Sequence, residues 1–421
     1  MSQGRFPAHW RSRVLGDLGE ISGGGTPSTK EPGFWDGDIP WLVPSEVTKT
    51  NGLFISRTER RITNDGLANC GAKLLPSGTV LMTSRATIGE VVINTLPMAT
   101  NQGFINTICK NETVHNELLA YWIKSNKQTL QARAHGVTFR EITKSNFKTI
   151  PIHLPPIPEQ RTIARALRAV QEAREARRWE AALERERKAA LMDYLFTHGT
   201  RGEPRKHTEI GQIPQSWRIM RLKEISEEFI SGGTPSTDDP RYWDGDIPWT
   251  TSAPISDDDI LLNCGQRFIS KVGLKNSATH LVPKDNLLVG TRVGVGKAVV
   301  NLIDIAISQD LTGLVLNYKI VNPDFIAYQF KTARVKVFFF GRKRGTTIKG
   351  IARLDLESLL LSIPSIFEQY EISGILKACD AKIAALEQEA AVLEELFRAM
   401  LEELMTGRLS ALPLVEAEVT P

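Results

Sequence analysis

Two sets of polar side chains in the sequence have the chemistry needed to hydrogen bond with the edges of nucleobases. The first set is Arg85 with Asn101 and Gln102, and the second is Arg292 with Gln309. Arginine pairs favourably with guanine, and asparagine or glutamine with adenine. Because the arginine and the glutamine recur at an offset of 207 residues, they could instead support a loop that both regions need. The sequence leaves both interpretations open.

Basic side chains accompany each set. Residues 331–353 contain eight Lys or Arg residues and no acidic one, and residues 124–148 contain six against Glu141 alone. Such side chains give DNA affinity that depends on salt and not on sequence, although a basic stretch can also be ordinary solvated surface. The candidate DNA-binding residues are Lys49, Arg85, Asn101, Gln102, Arg140, Lys144, Arg292, Gln309, Arg342, Lys343, Arg344 and Lys349.

No catalytic motif in the sequence is complete. Gly294–Lys297 resembles part of a phosphate-binding loop, but the more distant glycine of that motif and its final Ser or Thr are absent, which predicts a turn between strands. Asn322–Phe325 resembles the N-P-P-[YF] signature of adenine methyltransferases, but it lacks the second proline and is predicted to start a helix. The histidines are isolated and the four cysteines form no C-x-x-C pair. We expect a chain that recognises a target without being an enzyme and that binds no metal or cofactor itself.

The elements that would position these residues occur twice in the 421-residue chain. The segment Ser22–Trp41 returns as Ser231–Trp249, and the seven residues Trp35–Trp41 recur unchanged as Trp243–Trp249. Each copy has short β-rich runs separated by Gly and Pro turns, and each ends in a long helical stretch. The predicted fold class is therefore α/β, with two similar mixed α/β domains, each followed by a long helix. The shared tryptophan block is predicted to be scaffold and not a DNA contact.

Composition shifts give the predicted domain boundaries. We expect the first domain at residues 4–155, its helix at 156–197, a linker at 198–213, the second domain at 214–363, the second helix at 364–408 and a tail at 409–421. No apolar run approaches the roughly 20 residues that cross a bilayer. The N-terminus also lacks the apolar core of a signal peptide, so we expect a cytoplasmic protein that does not bind membranes.

The two long helices are predicted to form an antiparallel coiled coil. Steps of four and three residues define a heptad seam in the second helix, and the first helix begins and ends on the same pattern. In its middle, charged residues such as Arg174 and Glu184 occupy the seam, and we predict that the seam drifts by one residue, to Ala173, Ala176, Leu183 and Ala190. The predicted seam and partner-docking residues are Ile163, Leu167, Val170, Leu191 and Leu195 in the first helix and Ile372, Leu376, Ile383, Leu386, Leu393, Phe397, Met400 and Leu404 in the second.

Charge is partitioned along the chain in a way that favours this pairing. The overall net charge is +4, but residues 1–155 carry +5 and residues 214–363 carry +3. The first helix, residues 156–197, carries +2, whereas residues 364–421 carry −7. The globular parts are thus suited to a polyanion, and the helices attract each other.

The helix starts LPPIPEQRTIARAL (Leu154–Leu167) and IPSIFEQYEISGIL (Ile363–Leu376), together with the helix ends LMDYLFTHGTRGEP and LEELMTGRL, resemble the specificity subunits of type I restriction-modification systems. The segments GRFPAHWRSRVLGDL and EIGQIPQSWRIMRLKEI are similar to the starts of that family's two recognition domains. The resemblance covers nearly the whole chain. One departure is the arginine-rich middle of the first helix, whose Arg174, Arg177 and Arg178 could instead contact modification subunits or DNA.

The resemblance implies a non-catalytic subunit whose two domains each read one half of a bipartite, asymmetric site in double-stranded DNA. Its helices would set the unread spacer and dock two modification subunits that use S-adenosylmethionine. Restriction subunits using ATP and Mg would add translocation and cleavage. The alternatives are a self-contained DNA methyltransferase or nuclease, and a coiled-coil scaffold without a DNA role.

Overall fold

A computed structural model of the chain describes residues 6–50, 52–135, 140–342 and 350–419, with side chains as far as residue 415. The chain forms two units. The first contains the residues up to Ala181 and those from Ala385 onward, and the second is Ala182–Ala384. Each long helix therefore contributes one part to each unit.

The described residues form these helices: α1 (Pro44–Lys49), α2 (Asn64–Ala68), α3 (Asn116–Ser125), α4 (Lys127–Ala132), α5 (Lys144–Lys148), α6 (Ile157–His198), α7 (Lys271–Lys275), α8 (Pro323–Lys331), α9 (Ala333–Arg342), α10 (Arg353–Glu357), α11 (Ile366–Thr406) and α12 (Leu412–Val419). The strands of the first unit are β1 (Arg11–Val14), β2 (Gly19–Gly23), β3 (Trp35–Leu42), β4 (Phe54–Ile55), β5 (Arg60–Ile62), β6 (Val80–Thr83), β7 (Val91–Asn94), β8 (Ala99–Thr100), β9 (Phe104–Cys109) and β10 (Pro151–Leu154). The strands of the second unit are β11 (Arg205–Thr208), β12 (Gly211–Pro214), β13 (Arg218–Arg221), β14 (Ser226–Ser231), β15 (Trp243–Thr250), β16 (Leu261–Leu262), β17 (Arg267–Ile269), β18 (Leu281–Val282), β19 (Asn286–Gly290), β20 (Ala298–Asn301), β21 (Ile305–Ile307), β22 (Leu311–Leu316) and β23 (Leu360–Ile363).

The first unit is built around a five-stranded sheet in the order β2-β9-β6-β7-β4, with a second sheet β5-β3-β8 and the pair β1-β10. Strand β6 is buried at every position because both faces of its sheet are covered. Alternate side chains point to opposite faces, so Val80 and Met82 join the core that includes α3, while Leu81 packs into a separate cluster with Phe104.

The second unit repeats this architecture. Its five-stranded sheet has the order β14-β22-β19-β20-β16, its second sheet is β17-β15-β21-β18, and β13 pairs with β23. The same alternation places Leu287 and Val289 against α8 and Leu288 in a second cluster. The duplicated mixed α/β fold predicted from the repeat is confirmed.

Two incomplete catalytic motifs have the structural roles that were predicted. Pro323 is the first residue of α8, and the Asn322 side chain accepts a hydrogen bond from the Phe325 amide at 3.0 Å. The segment around Gly294 is the turn between β19 and β20, closed by a hydrogen bond from the Lys297 amide to the Gly294 carbonyl at 3.0 Å.

The helix bounds differ from the predicted ones by two residues or fewer, but the short segments differ more. The predicted linker contains the hairpin β11-β12, and the predicted tail contains α12. Ala411, just before α12, is buried in the core of the first unit. These segments therefore have defined structure of their own.

The two long helices pair antiparallel within each unit. In the first unit Arg174 contacts Glu394, and Arg177 lies 2.7 Å from Glu389, so residue numbers rise along α6 as they fall along α11. In the second unit Glu184 is bonded to Lys382 at 3.1 Å and Lys188 to Asp380. The predicted antiparallel coiled coil is confirmed.

The predicted drift of the α6 seam is wrong. Ala173, Ala176, Leu183 and Ala190 are all exposed. The seam instead continues in phase through charged positions, with the Glu184 residue only 4% exposed and the Arg174 side chain 14% exposed. Opposite charges on α11 compensate these side chains, and buried Ala181 lies between them, so the heptad spacing is kept with few apolar residues.

Candidate nucleic-acid interface

Three loops meet at one end of the five-stranded sheet in each unit. We call them the Gly-rich loop (residues 24–29 and 232–237), the arginine loop (84–90 and 291–297) and the glutamine loop (101–103 and 308–310). In the first unit the Ser84 amide donates to the Gly103 carbonyl at 2.8 Å, and in the second the Thr291 amide donates to the Asp310 carbonyl at 2.8 Å. The arginine and glutamine loops are therefore joined by backbone hydrogen bonds in both units.

The repeated tryptophan block holds the Gly-rich loop in place. The Trp41 indole donates to the Gly25 carbonyl at 2.9 Å, and Trp249 donates to the Gly233 carbonyl at 3.1 Å. Both indoles are buried, which removes them from direct contact with a ligand. The last tryptophan of each block therefore has a scaffold role, and the absence of DNA contacts from the rest of the block stays a prediction.

Close backbone approach explains the glycines of this loop. A Cβ atom on Gly24 would lie 1.9 Å from the Asn101 carbonyl oxygen, and one on Gly232 would lie 2.0 Å from that of Ser308. No other residue fits there without moving the backbone. The backbone of the Gly-rich loop therefore lies in direct contact with the backbone of the glutamine loop in each unit.

The candidate amides occupy these loops in different ways. Gln102 accepts a hydrogen bond from the Thr26 hydroxyl, and Gln309 accepts one from the Thr234 hydroxyl at 2.5 Å. Both glutamines are exposed, and their amide nitrogens have no partner among the described residues. Asn101 instead accepts from the Gly103 amide at 2.8 Å and stabilises the turn.

The two candidate arginines differ in their surroundings. Arg85 Nε lies 2.9 Å from Glu141 Oε1, whereas Arg292 makes no ion pair within the part of the chain that the structure describes. The Ile142 amide bonds to the Ser84 carbonyl and the Ile351 amide to the equivalent Thr291 carbonyl. This match puts Gly350 at the position of Glu141. The loop-support interpretation thus fits Arg85, and Arg292 keeps its guanidinium available.

The other predicted contacts are spread over the surface. Lys49 is paired with Glu59 at 3.2 Å, Arg140 is exposed, and the Arg342 guanidinium stacks 4.0 Å from the centre of the Phe338 ring. Lys144 lies beside the end of β2, where a Cβ on Gly23 would be 3.6 Å from its Nζ. The predicted residues Lys343, Arg344 and Lys349 lie outside the described residues.

A buried glutamine fixes each long helix to its own domain, a role that the sequence analysis did not assign. Gln160 accepts a hydrogen bond from the His115 amide at 2.8 Å and donates to the Pro155 carbonyl at 2.9 Å. In the second unit Gln369 accepts from the Asn322 amide at 2.8 Å and donates to the Ile320 carbonyl at 2.9 Å. The sequence feature that could have indicated this role is the Glu-Gln pair that is repeated at the start of each long helix.

Among the residues that the structure describes, no group of three or more His, Cys, Asp or Glu side chains is arranged to hold a metal ion. Within the same residues, no helix is both long and apolar enough to cross a membrane.

The match to a protein-family profile shows which family the chain belongs to. The profile of the type I restriction modification DNA specificity domain matches residues 7–185 and matches again at residues 214–395. The chain belongs to this family. Each match contains one full set of the three loops and the start of the long helix that follows it. The doubled DNA specificity domain accounts for the internal repeat.

Relatives named as specificity subunits match this chain over nearly its whole length or over part of it. The specificity subunit of the type I restriction enzyme MjaIX from Methanocaldococcus jannaschii is 27% identical over 417 residues, covering 96% of this chain and 95% of the relative. The EcoR124I/EcoR124II specificity subunit from Escherichia coli is 26% identical over 162 residues, covering 37% of this chain and 39% of the relative.

Solved structures share the fold at lower identity. The crystal structure of a type I restriction-modification S subunit from M. genitalium has a TM-score of 0.59 and 15% identity, covering 96% of this chain and 97% of the other. A chain from work on complex assembly and conformational transition of a type I R-M system has a TM-score of 0.60 and 21% identity, covering 96% of this chain and 100% of the other.

Proposed function

We propose that this chain is the DNA specificity subunit of a type I restriction-modification complex, and that each recognition domain reads one half of a bipartite, asymmetric site. The observation that carries the proposal is the doubled specificity domain with its doubled set of loops. Loops supported by a rigid scaffold are a common place for binding residues. Exposed Gln102 and Gln309 are the side chains we propose for contacts with base edges.

The long helices are proposed to set the unread spacer between the half-sites. At about 1.5 Å per residue, the 42-residue helix α6 is about 63 Å long. Half-sites read from one face of B-DNA lie about 34–36 Å apart, or a multiple of that distance. Gln160 and Gln369 support the role, since a spacer can act only if each domain keeps a fixed angle to its helix.

Modification subunits are the proposed partners of the helices. Most of the predicted seam residues of α6 and α11 are buried, so docking would use the outer faces. In the first unit Trp179 is 66% exposed on α6, and Val392 is 52% exposed on α11. We propose that this chain is non-catalytic, that S-adenosylmethionine is bound by two modification subunits, and that restriction subunits with ATP and Mg complete a complex in the cytoplasm.

Methylome sequencing of cells carrying this chain and its cognate modification subunit tests the proposal. The expected result is adenine methylation in a split motif with an unread spacer. A continuous palindromic motif, or no motif, would contradict it. Binding of S-adenosylmethionine by the purified chain alone would favour a self-contained methyltransferase. Absence of salt-dependent DNA binding in the presence of the partner subunits would favour a scaffold.

A further inference from the structure

A cavity of about 660 Å³ lies in the second unit beside its arginine loop. It is formed by that loop and by residues at the end of α8 and along α9. Four cationic side chains line it, and the acidic residue in its lining is Asp257. The cations are Arg292, Lys297, Lys331 and Lys336. The lining therefore has a surplus of positive charge suited to an anion.

None of these cations forms an ion pair among the residues that the structure describes, and two of them matter most here. Arg292 is exposed and has no ion pair among the described residues, and the Lys331 ammonium is buried without a hydrogen-bond partner in that same part of the chain. Burial lowers the pKa of Lys331 to about 8, and Asp257, Asp258 and Asp259 act in the opposite direction from a longer range. A buried charge without a partner is costly, so an anionic ligand would relieve the cost. Lys297 already donates to the Ile255 carbonyl at 2.6 Å.

Part of the cavity lining is apolar and open to solvent. Phe340 is 81% exposed and Val337 is 69% exposed, although both are large apolar side chains. A ligand that joins an anion to a small apolar body would cover them. A deoxyribose with its phosphate has that chemistry.

In the first unit, two acids at the corresponding positions pair with nearby basic side chains. Glu90 stands at the repeat position of Lys297 and pairs with Lys127, and Glu141 pairs with Arg85. Arg85 and Lys127 there already have partners, whereas the second unit has Lys297 and Gly350 in place of the two glutamates. The difference between the copies is local, because the surrounding strands repeat.

We propose that this cavity binds a backbone phosphate of the DNA in the second half-site, with Arg292 and Lys331 as its ligands and the deoxyribose against Phe340 and Val337. The inference rests on the proposed function and adds a difference between the two recognition domains. The second domain holds the DNA backbone at a site that the first domain lacks.

The test is DNA binding by the complex of this chain with its modification subunits, measured at several salt concentrations on the duplex defined by methylome sequencing. Arg292→Gln and Lys331→Met should each weaken binding about tenfold and lower the slope of log affinity against log salt by about 1. Both should leave the methylation motif unchanged. Asp257→Asn, which removes the opposing charge, should tighten binding. Lys319→Gln is the matched control, since it removes one exposed positive charge of the same unit outside the cavity.

A neutral methylphosphonate placed at successive positions of the second half-site locates the phosphate. At one position, the methylphosphonate should lower the affinity of the wild-type complex. The same substitution should have little further effect on the affinity of the Lys331→Met complex, because that variant has already lost the ammonium that contacts the phosphate. Thermal unfolding checks that each variant is folded.

The inference is overturned if the folded variants bind like Lys319→Gln, if they change the bases methylated in the second half, or if no methylphosphonate position shows the coupling. A wild-type complex that forms but yields no split motif would instead contradict the proposed function itself.

Discussion

At the residue scale, the two copies of the recognition domain use equivalent positions differently. The second residue of the arginine loop is arginine in both, yet Glu141 neutralises Arg85 while Gly350 leaves Arg292 without a carboxylate. Such an exposed ion pair contributes little to stability, but it decides which guanidinium is available to a polyanion. The chemistry of recognition therefore depends on residues outside the loop.

The buried glutamines give a first prediction at this scale. Gln369→Leu should lower the free energy of unfolding of the second unit by about 3 kcal/mol, because a backbone amide and two carbonyls lose their partners in the interior. Chemical denaturation measures the change. The exposed neighbour Tyr370→Leu is the control, and an equal effect of the two substitutions would contradict the assigned role.

The lowered pKa of Lys331 gives a second prediction, on pH dependence. The ordinary pKa of lysine is about 10.4, so between the folded value of about 8 and that value the unfolded chain holds more protons than the folded chain. Stability contributed by this position should therefore rise with pH across this window. The test measures the free energies of unfolding of the wild type and of Lys331→Met from pH 7 to 10. The wild type should become more stable relative to the variant as the pH rises. A difference that stays constant with pH would contradict it.

At the element scale, the coiled coil keeps its heptad phase by pairing charges across the seam. Arg174 contacts Glu394 in the first unit, and Lys188 contacts Asp380 in the second. Replacing one member of a buried pair leaves an uncompensated charge, whereas replacing both by apolar residues of similar size is often neutral or stabilising. The charges therefore favour one partner and register over others.

A third prediction follows for these helices. Glu394→Leu alone should lower the free energy of unfolding of the first unit by about 1–2 kcal/mol, and adding Arg174→Leu should recover the loss. Thermal unfolding of the single and double variants measures the coupling. Glu389→Leu is the control, since that side chain is 57% exposed. If the double variant is less stable than the single one, the charge-compensation account fails.

The sequence predicted the repeat, the helix bounds and the antiparallel pairing because these depend on periodicity and net charge along the chain. It missed the phase of the α6 seam because apolar spacing alone cannot show that charges on α11 satisfy Arg174 and Glu184. It also could not separate Arg85 from Arg292. The partner that distinguishes them, Glu141 or Gly350, lies more than 50 residues away in sequence and is brought to the loop only by folding.

At the scale of the whole molecule, the near-neutral net charge of the chain is the sum of regions with opposite charge and different roles. Two basic domains of the DNA specificity family carry duplicated loops, and the acidic second helix pairs with the basic first one. Each domain has its own core and its own buried glutamine at the start of its helix. We therefore expect the two domains to act as independent modules.

Exchange of residues 4–155 for those of a relative tests this central claim most directly. The exchanged chain, expressed with the modification subunit, is followed by methylome sequencing. The account predicts that one half of the split motif changes while the other half and the spacer length stay the same. A change in both halves, or in the spacer alone, would contradict it.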